Sequence, residues 1–420
     1  MRRLHPVLSS PFSLSPLVLA TLFAGSLPAC SSDATIPPAA ETPDAGAPEP
    51  VGAKSVPSDP VGFRSAGKLL EARALATTTL LQDGRVLVVG GEGDDYEMMA
   101  SVELYDPATE TTVAVAPLPE PRSHHTATLL ANGQVLVAGG GRGSEISIPN
   151  GEGVLGSAVL YDPAANTWRP TGAMIGRRAG HQAVALADGR VLVAGGGDRV
   201  GYPCAAIHEN CNVAESIGTA EIYDPATGTF SKTGDLARPR IAFSLNVLPS
   251  GKVVAAGGGA KNQGLTSVEI FDPRAGTWAK GPDLDGQRLF HASASVGTSL
   301  LVVGGKIANV KPISNADLLD DGASSWRRGA SVDVPRTGAK LVPLASGRVL
   351  LVAGFNQLEN TPLGDAQLYD PTTDAWTAIG GLAVERSTHT ALLMGDGSVL
   401  VVGGRGVRAV VPQIERTRTE

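Results

Sequence analysis

Short, uninterrupted apolar runs recur along this chain, separated by polar stretches rich in Gly and Pro. One run appears seven times, as in Val86-Leu87-Val88-Val89, Val135-Leu136-Val137-Ala138 and Val191-Leu192-Val193-Ala194. Each copy leads into glycine at Gly90, Gly139, Gly195, Gly257, Gly304, Gly354 or Gly403, usually followed by a second glycine. In the sixth copy the second glycine reads as Phe355. Four apolar residues without polar alternation predict a strand buried on both faces, too short for a core helix. A turn pair precedes most runs: Asn132-Gly133, Asp188-Gly189, Ser250-Gly251, Ser346-Gly347 and Asp396-Gly397. Such pairs supply the positive φ of a tight hairpin, so each run is the second strand of a hairpin. The first strand follows an Arg, as from Arg122 to Leu130.

After the glycines a third strand ends in Tyr105-Asp106-Pro107, Tyr161-Asp162-Pro163, Tyr223-Asp224-Pro225 or Tyr369-Asp370-Pro371, with Phe271-Asp272-Pro273 as a variant. Asp then Pro is turn chemistry, the carboxylate closing the turn and the ring fixing φ. A fourth strand opens on an aromatic: Trp168, Phe230, Trp278, Trp326 or Trp376. The chain's 4 Trp all fall at this register, which marks packing between neighbouring units.

A unit of about 50 residues with an apolar strand before paired glycines, Tyr before Asp-Pro, and a following Trp resembles the kelch family. The resemblance covers about residues 61–420. It implies an all-β, seven-bladed kelch-type β-propeller with four antiparallel strands per blade. Gly62-Phe63-Arg64-Ser65-Ala66-Gly67 resembles Thr167-Trp168-Arg169-Pro170-Thr171-Gly172, a fourth strand. Val410 to Arg418 stands where a third strand belongs. The last blade therefore joins both ends of the repeat region, which hides two sheet edges. The fifth unit is degenerate, with Leu319-Asp320-Asp321 in place of Tyr-Asp-Pro.

The length of 420 residues suits one large repeat domain, and 52 Gly with 30 Pro suit many tight turns. A net charge of −7 argues against nucleic acid, which selects a basic face. Residues 1–29 read as an export signal: Arg2 and Arg3, then an apolar stretch clearest from Leu17 to Phe23, too short and too interrupted by Pro to span a membrane. Leu27-Pro28-Ala29-Cys30 resembles a lipoprotein box, although Pro28 departs from the pattern; it implies lipidation of Cys30. The alternative is an ordinary signal peptide with a chance Cys. Ser31 and Ser32 look more like outer-membrane sorting than inner-membrane retention. Residues 30–60 are Pro, Ala, Ser and acids with little to bury, and read as a disordered tether. The protein is expected to be exported, to meet the membrane only through a lipid, to face the periplasm or the cell surface, and to be monomeric.

Seven Arg residues precede the first strands: Arg73, Arg122, Arg178, Arg240, Arg288, Arg336 and Arg386. As a ring of cations at the channel mouth they would bind an anion, which makes Arg122 and Arg178 ligand-binding candidates. Yet Glu103, Glu221, Glu269, Asp317 or Gln367 stands two residues before the third-strand aromatic, or before Leu319 in the degenerate unit. Pairing inside each blade is the structural alternative, and its repetition favours it. His125, His181, His291 and His389, three residues after the Arg, read as core positions bonded to backbone.

The kelch resemblance also raises the copper-radical oxidases, whose propeller supplies a Tyr-His pair and a Tyr cross-linked to Cys. Here the matching pairs are His124-His125, Gly180-His181, Phe290-His291 and Thr388-His389, none of them Tyr-His. Outside Cys30 only Cys204 and Cys211 remain. No metal or cofactor is therefore expected. His124 and His125 point to opposite faces of a strand, and Glu92-Asp94-Asp95 lacks a calcium-loop pattern.

Departures from the repeat carry more information. Two insertions, Arg142 to Gly156 and Asp198 to Gly218, lie between second and third strands of adjacent blades. Those loops leave on the same face as the Arg-bearing turns, and binding residues concentrate on such loops. Cys204 and Cys211 in the second insertion are expected to form a disulfide in an exported protein. Candidate contacts are Glu145, Asn150, Glu152, Arg199, Tyr202, His208, Glu209 and Asn210. Acids, amides and a Tyr suit a glycan or protein ligand. The expected function is a binding or scaffold module; the alternative is a carbohydrate-active enzyme (oxidase, lyase or epimerase type) working at the channel mouth.

Overall fold

The computed structural model describes residues 62–142, 153–198, 216–260, 263–307 and 311–418. Among them stand seven four-stranded antiparallel sheets and one small hairpin, Gly259–Ala260 with Gln263–Gly264. Each sheet is one blade, with strands a to d in chain order. Blade 1 shows the plan: Thr77–Leu80, Val86–Val89, Val102–Asp106 and Thr111–Val115. The second strand is completely buried in every blade, as its unbroken apolar run requires.

Strand a of each blade packs against strand a of the next, and Thr77–Leu80 packs against Thr390–Leu393 to close the circle. This is a seven-bladed β-propeller. Blade 7 takes Thr390–Leu393, Ser398–Val402 and Gln413–Arg418 from the C-terminal part, and Phe63–Lys68 from the N-terminal part. Phe63 pairs with Thr417 and Arg64 with Arg416. Two-sided apolar clusters fill the space between blades; one joins Leu87 and Val89 of blade 1 to Val135 and Val137 of blade 2.

The paired glycines have a specific task between blades. The N–H of Gly91 donates to the Arg122 carbonyl of the next blade at 2.9 Å, and Gly140 does the same to Arg178. Gly90 has φ +57, and a Cβ there would meet the Arg122 carbonyl oxygen at 2.4 Å. Only glycine lets the two backbones approach so closely. The sixth copy is corrected by one residue. Gly354 donates to Arg386, and Arg336 reaches the Ala353 carbonyl, so Ala353 replaces the first glycine and Phe355 follows the pair. Ala353 holds φ +53, which alanine tolerates poorly but can adopt.

The four strand-c tyrosines and Phe271 are buried, and ring pairs such as Tyr161–Trp168 lie 4.9 Å apart. The tryptophans themselves are only half-buried. They reach back to the preceding blade through the indole N–H, Trp168 to the Ala116 carbonyl (2.7 Å) and Trp278 to Gly234 (2.8 Å). The buried member of each pair is therefore the tyrosine, and the tryptophan is a bridge with a wet edge.

Candidate functional site: the channel mouth

The connections from strand b to c and from d to a emerge together, around the start of the seven innermost strands. The repeat's Arg anchors this end. Arg73 donates to the Gly90 carbonyl (3.0 Å), the Ser101 carbonyl (2.9 Å) and the Glu103 carboxylate. Glu103 in turn accepts the N–H groups of Leu70 (2.7 Å) and Glu71 (3.0 Å) in the incoming connection. One buried ion pair thus ties strand b, strand c and the d–a turn of blade 1. The pair recurs as Arg178–Glu221 (2.7 Å), Arg240–Glu269 (2.6 Å), Arg288–Asp317 and Arg386–Glu415.

Two blades depart from this plan. In blade 6 the partner of Arg336 is Asp365 at 2.7 Å, and Gln367, the residue expected from the repeat, instead donates to Asp365. In blade 2 the acid is replaced by Val159, and Pro119 removes one of the N–H groups such an acid would accept. Among the described residues, Glu120, 3.6 Å away and partly exposed, is the carboxylate nearest to Arg122. Burial pushes the Arg122 guanidinium down to about 10. Arg122 and Arg178 are both fully enclosed and bonded within their blades, so neither guanidinium faces solvent at the mouth.

The histidines line the blade junctions. His125 Nε2 lies 2.8 Å from the Thr77 hydroxyl of blade 1, His181 Nε2 3.0 Å from Thr126, and His291 Nε2 2.9 Å from Ser244. Beside the expected backbone partner, the carbonyl of its own Arg, each of these rings thus meets a side-chain hydroxyl of the preceding blade. Burial, reinforced by the adjacent guanidinium, lowers His125 and His291 to about 3. These rings are neutral and structural at pH 7.

Just before each innermost strand one residue takes a left-handed backbone conformation: Leu75, His124, Gly180, Ala242, Phe290, Gly338 and Thr388. Their amides and carbonyls link around the axis, Leu75 to Thr388 (3.2 Å), Gly180 to His124 (2.9 Å), Phe290 to Ala242 (3.1 Å) and Gly338 to Phe290 (2.9 Å). This collar frames the mouth. His124 stands on it with Nδ1 2.9 Å from the Ser123 hydroxyl, Nε2 unpartnered, and its pKa lowered to about 4 by burial.

The mouth is lopsided. The residue after the glycine pair is itself glycine in blades 2, 3 and 4 (Gly141, Gly197, Gly259) but Glu92, Lys306, Phe355 and Arg405 in the others. Arg405 sits 4.4 Å over the Tyr96 ring and donates to the Gly93 carbonyl at 2.9 Å; Lys306 lies 5.6 Å from the Phe290 ring centre. The glycine side carries the two long insertions in sequence. Glu145, Asn150, Glu152, Arg199, Tyr202, Cys204, His208, Glu209, Asn210 and Cys211 all lie outside the described residues, as do Cys30, the export signal and the tether. The asymmetry was readable as three glycine triplets in consecutive units, Gly139-Gly140-Gly141, Gly195-Gly196-Gly197 and Gly257-Gly258-Gly259.

The kelch motif model matches residues 247–284, running from strand a of blade 4 into the connection that leads to blade 5. No curated protein matches the chain in sequence. Among solved structures, a fungal alcohol oxidase of the AA5 family in complex with copper matches with a TM-score of 0.65 and 19% identity, over 85% of this chain and 75% of that one. YjhT matches with a TM-score of 0.54 and 15% identity, over 75% of this chain and 99% of that one. At such identities the likeness is one of fold. Among the described residues Tyr105, Tyr161, Tyr223 and Tyr369 are buried inside blades, Tyr96 lies beneath Arg405 at the mouth, and no cluster of three or more His, Cys, Asp or Glu forms.

Proposed function

We propose that this protein is an exported, lipid-anchored binding module whose channel-mouth face takes a glycan or protein ligand. The observation that carries this reading is the lopsided mouth. Three adjacent blades present glycine where the others present bulky side chains, and the two longest insertions arise from two of those three blades. Small residues leave room for a ligand, and long loops beside them supply contacts. Most of the repeated Arg, Glu and His side chains are bonded inside or between the blades, so loop-face ligand chemistry falls to residues that break the repeat. Lipidation of Cys30, followed by the Pro- and Ala-rich tether, would hold the face clear of the membrane.

The test is binding of the purified full chain to glycan and surface-protein arrays, beside a variant in which residues 143–152 are replaced by Gly-Ser. Ligand captured by the parent and lost in the variant supports the reading; equal capture by both, or none by either, defeats it. The carbohydrate-active enzyme is the second reading, favoured by the unpartnered His124 Nε2 at the collar. Turnover of a captured glycan that is lost in His124→Gln would establish it. Persistence of lipid labelling in Cys30→Ser would defeat the anchor.

A further inference from the structure

The seven innermost strands read TTTL, TATL, QAVA, SLNV, ASASV, KLVP and TALL. Lys340 is their single charged residue. Its side chain is exposed to solvent although protein surrounds it, as expected of a group inside a solvated channel. No carboxylate among the described residues pairs with it, and burial alone lowers its pKa.

Lys340 begins strand a of blade 6, the position held by Thr77, Thr126 and Ser244 where those hydroxyls meet a histidine. Opposite it stands His389 of blade 7, which is 1% exposed. Here the hydroxyl is gone, and both ring nitrogens of His389 lack a partner. The charges of Lys340 and Arg386 reinforce its neutrality, and Arg386 is already paired with Glu415. An ammonium carries three donors and no acceptor, and a neutral imidazole adds one N–H. A neutral imidazole also carries one acceptor nitrogen, so the junction holds one positive charge and four donor protons against a single acceptor.

We propose that Lys340 and His389 form a site for a singly charged carboxylate inside the channel mouth. One carboxylate oxygen accepts from the ammonium and the other from the imidazole N–H, so the ligand supplies both the missing charge and the missing acceptors. A single cation matches a monoanion better than a dianion, whose second charge would stay unpaired in a partly dehydrated space. The inference is independent of whether the loop face binds a glycan or a protein. The carboxylate belongs either to a free small acid or to an acidic sugar.

The experiment is a titration of the full chain, with histidine rings isotope-labelled and the His389 signal assigned by its loss in His389→Gln. Acetate and glucuronate are the probes, with acetamide and chloride as controls at matched ionic strength. A saturable shift of the His389 signal with both acids and with neither control is expected, weakened about tenfold or more in Lys340→Thr and Lys340→Gln. Tighter binding of glucuronate identifies an acidic sugar, and equal binding a small acid. No shift with either acid, an equal shift with acetamide or chloride, or full binding in a folded Lys340 variant overturns the proposal.

Discussion

The N–H of Gly404 donates to the carbonyl oxygen of Arg73 at 2.8 Å, joining the last blade to the first through the bond that joins Gly140 to Arg178 between blades 2 and 3. The closing junction is thus built like an internal one. An added Cβ would meet the Ser387 carbonyl oxygen at 2.7 Å at Gly404 and the Ser123 carbonyl oxygen at 2.5 Å at Gly140, both at strongly positive φ. Gly404→Ala and Gly140→Ala should therefore each cost about 2–4 kcal/mol. Denaturant titration checks this. A Gly404→Ala variant as stable as the parent would mean that the seal is looser than the junctions inside the ring.

The Arg178–Glu221 pair predicts a large local cost. Glu221 also accepts from the N–H groups of Ile175 (2.7 Å) and Gly176 (2.9 Å). Glu221→Ala leaves a buried guanidinium and two amides without their acceptor, for about 3–5 kcal/mol. The exposed Arg190–Asp188 pair, 2.7 Å long, should be worth at most about 1 kcal/mol when Asp188 is replaced by Ala. Comparable losses from the two substitutions would show that burial is not what makes the repeated pair matter.

Acid should destabilise the fold well before the carboxylates titrate. His125 and His291 are lowered to about 3, and His181 and His389 well below 6.5, by burial with help from Arg122, Arg288, Arg178, Lys340 and Arg386. A folded-state pKa below the unfolded value means that the unfolded chain takes up protons first. Stability from these rings is full above pH 6.5 and falls as pH drops towards 3, by about 1.4 kcal/mol per pH unit for each. The raised pKa values of Glu92 and Asp317 work in the opposite direction as pH falls from their raised folded values to the ordinary carboxylate values. His181→Phe, copying Phe243 in blade 4, should flatten the stability profile between pH 6.5 and 5 by about one histidine's share. An unchanged slope counts against buried neutral imidazole.

Lys340→Thr restores the hydroxyl found at Thr77 and Thr126, a partner for the His389 ring, in place of a solvent-exposed ammonium. The restored hydrogen bond to His389 should raise stability by about 1 kcal/mol in the absence of ligand, seen as a higher Tm. A fall in Tm would mean that the ammonium has a favourable role in the empty channel.

Cys204 and Cys211 should be joined in exported protein, lowering its mass by two hydrogens relative to the reduced form. Recovery of two free thiols under non-reducing conditions excludes the bridge.

The sequence by itself determined the number of blades, the four strands in each and the seal between the two ends of the repeat region. These follow from short-range chemistry repeated seven times: an apolar run, a glycine pair and an Asp-Pro turn. It also contained the Arg–acid pairing, because Glu221 and its equivalents recur at one register. The tertiary structure alone decided three matters. It moved the glycine pair of blade 6 to Ala353-Gly354, since register is set by which carbonyl Arg386 offers across the junction. It gave the histidines hydroxyl partners, since Thr77 and His125 meet only when neighbouring blades are set side by side. And it brought Lys340 to a histidine with no hydroxyl, a pairing that spacing along one chain cannot show because a circle makes neighbours of distant residues.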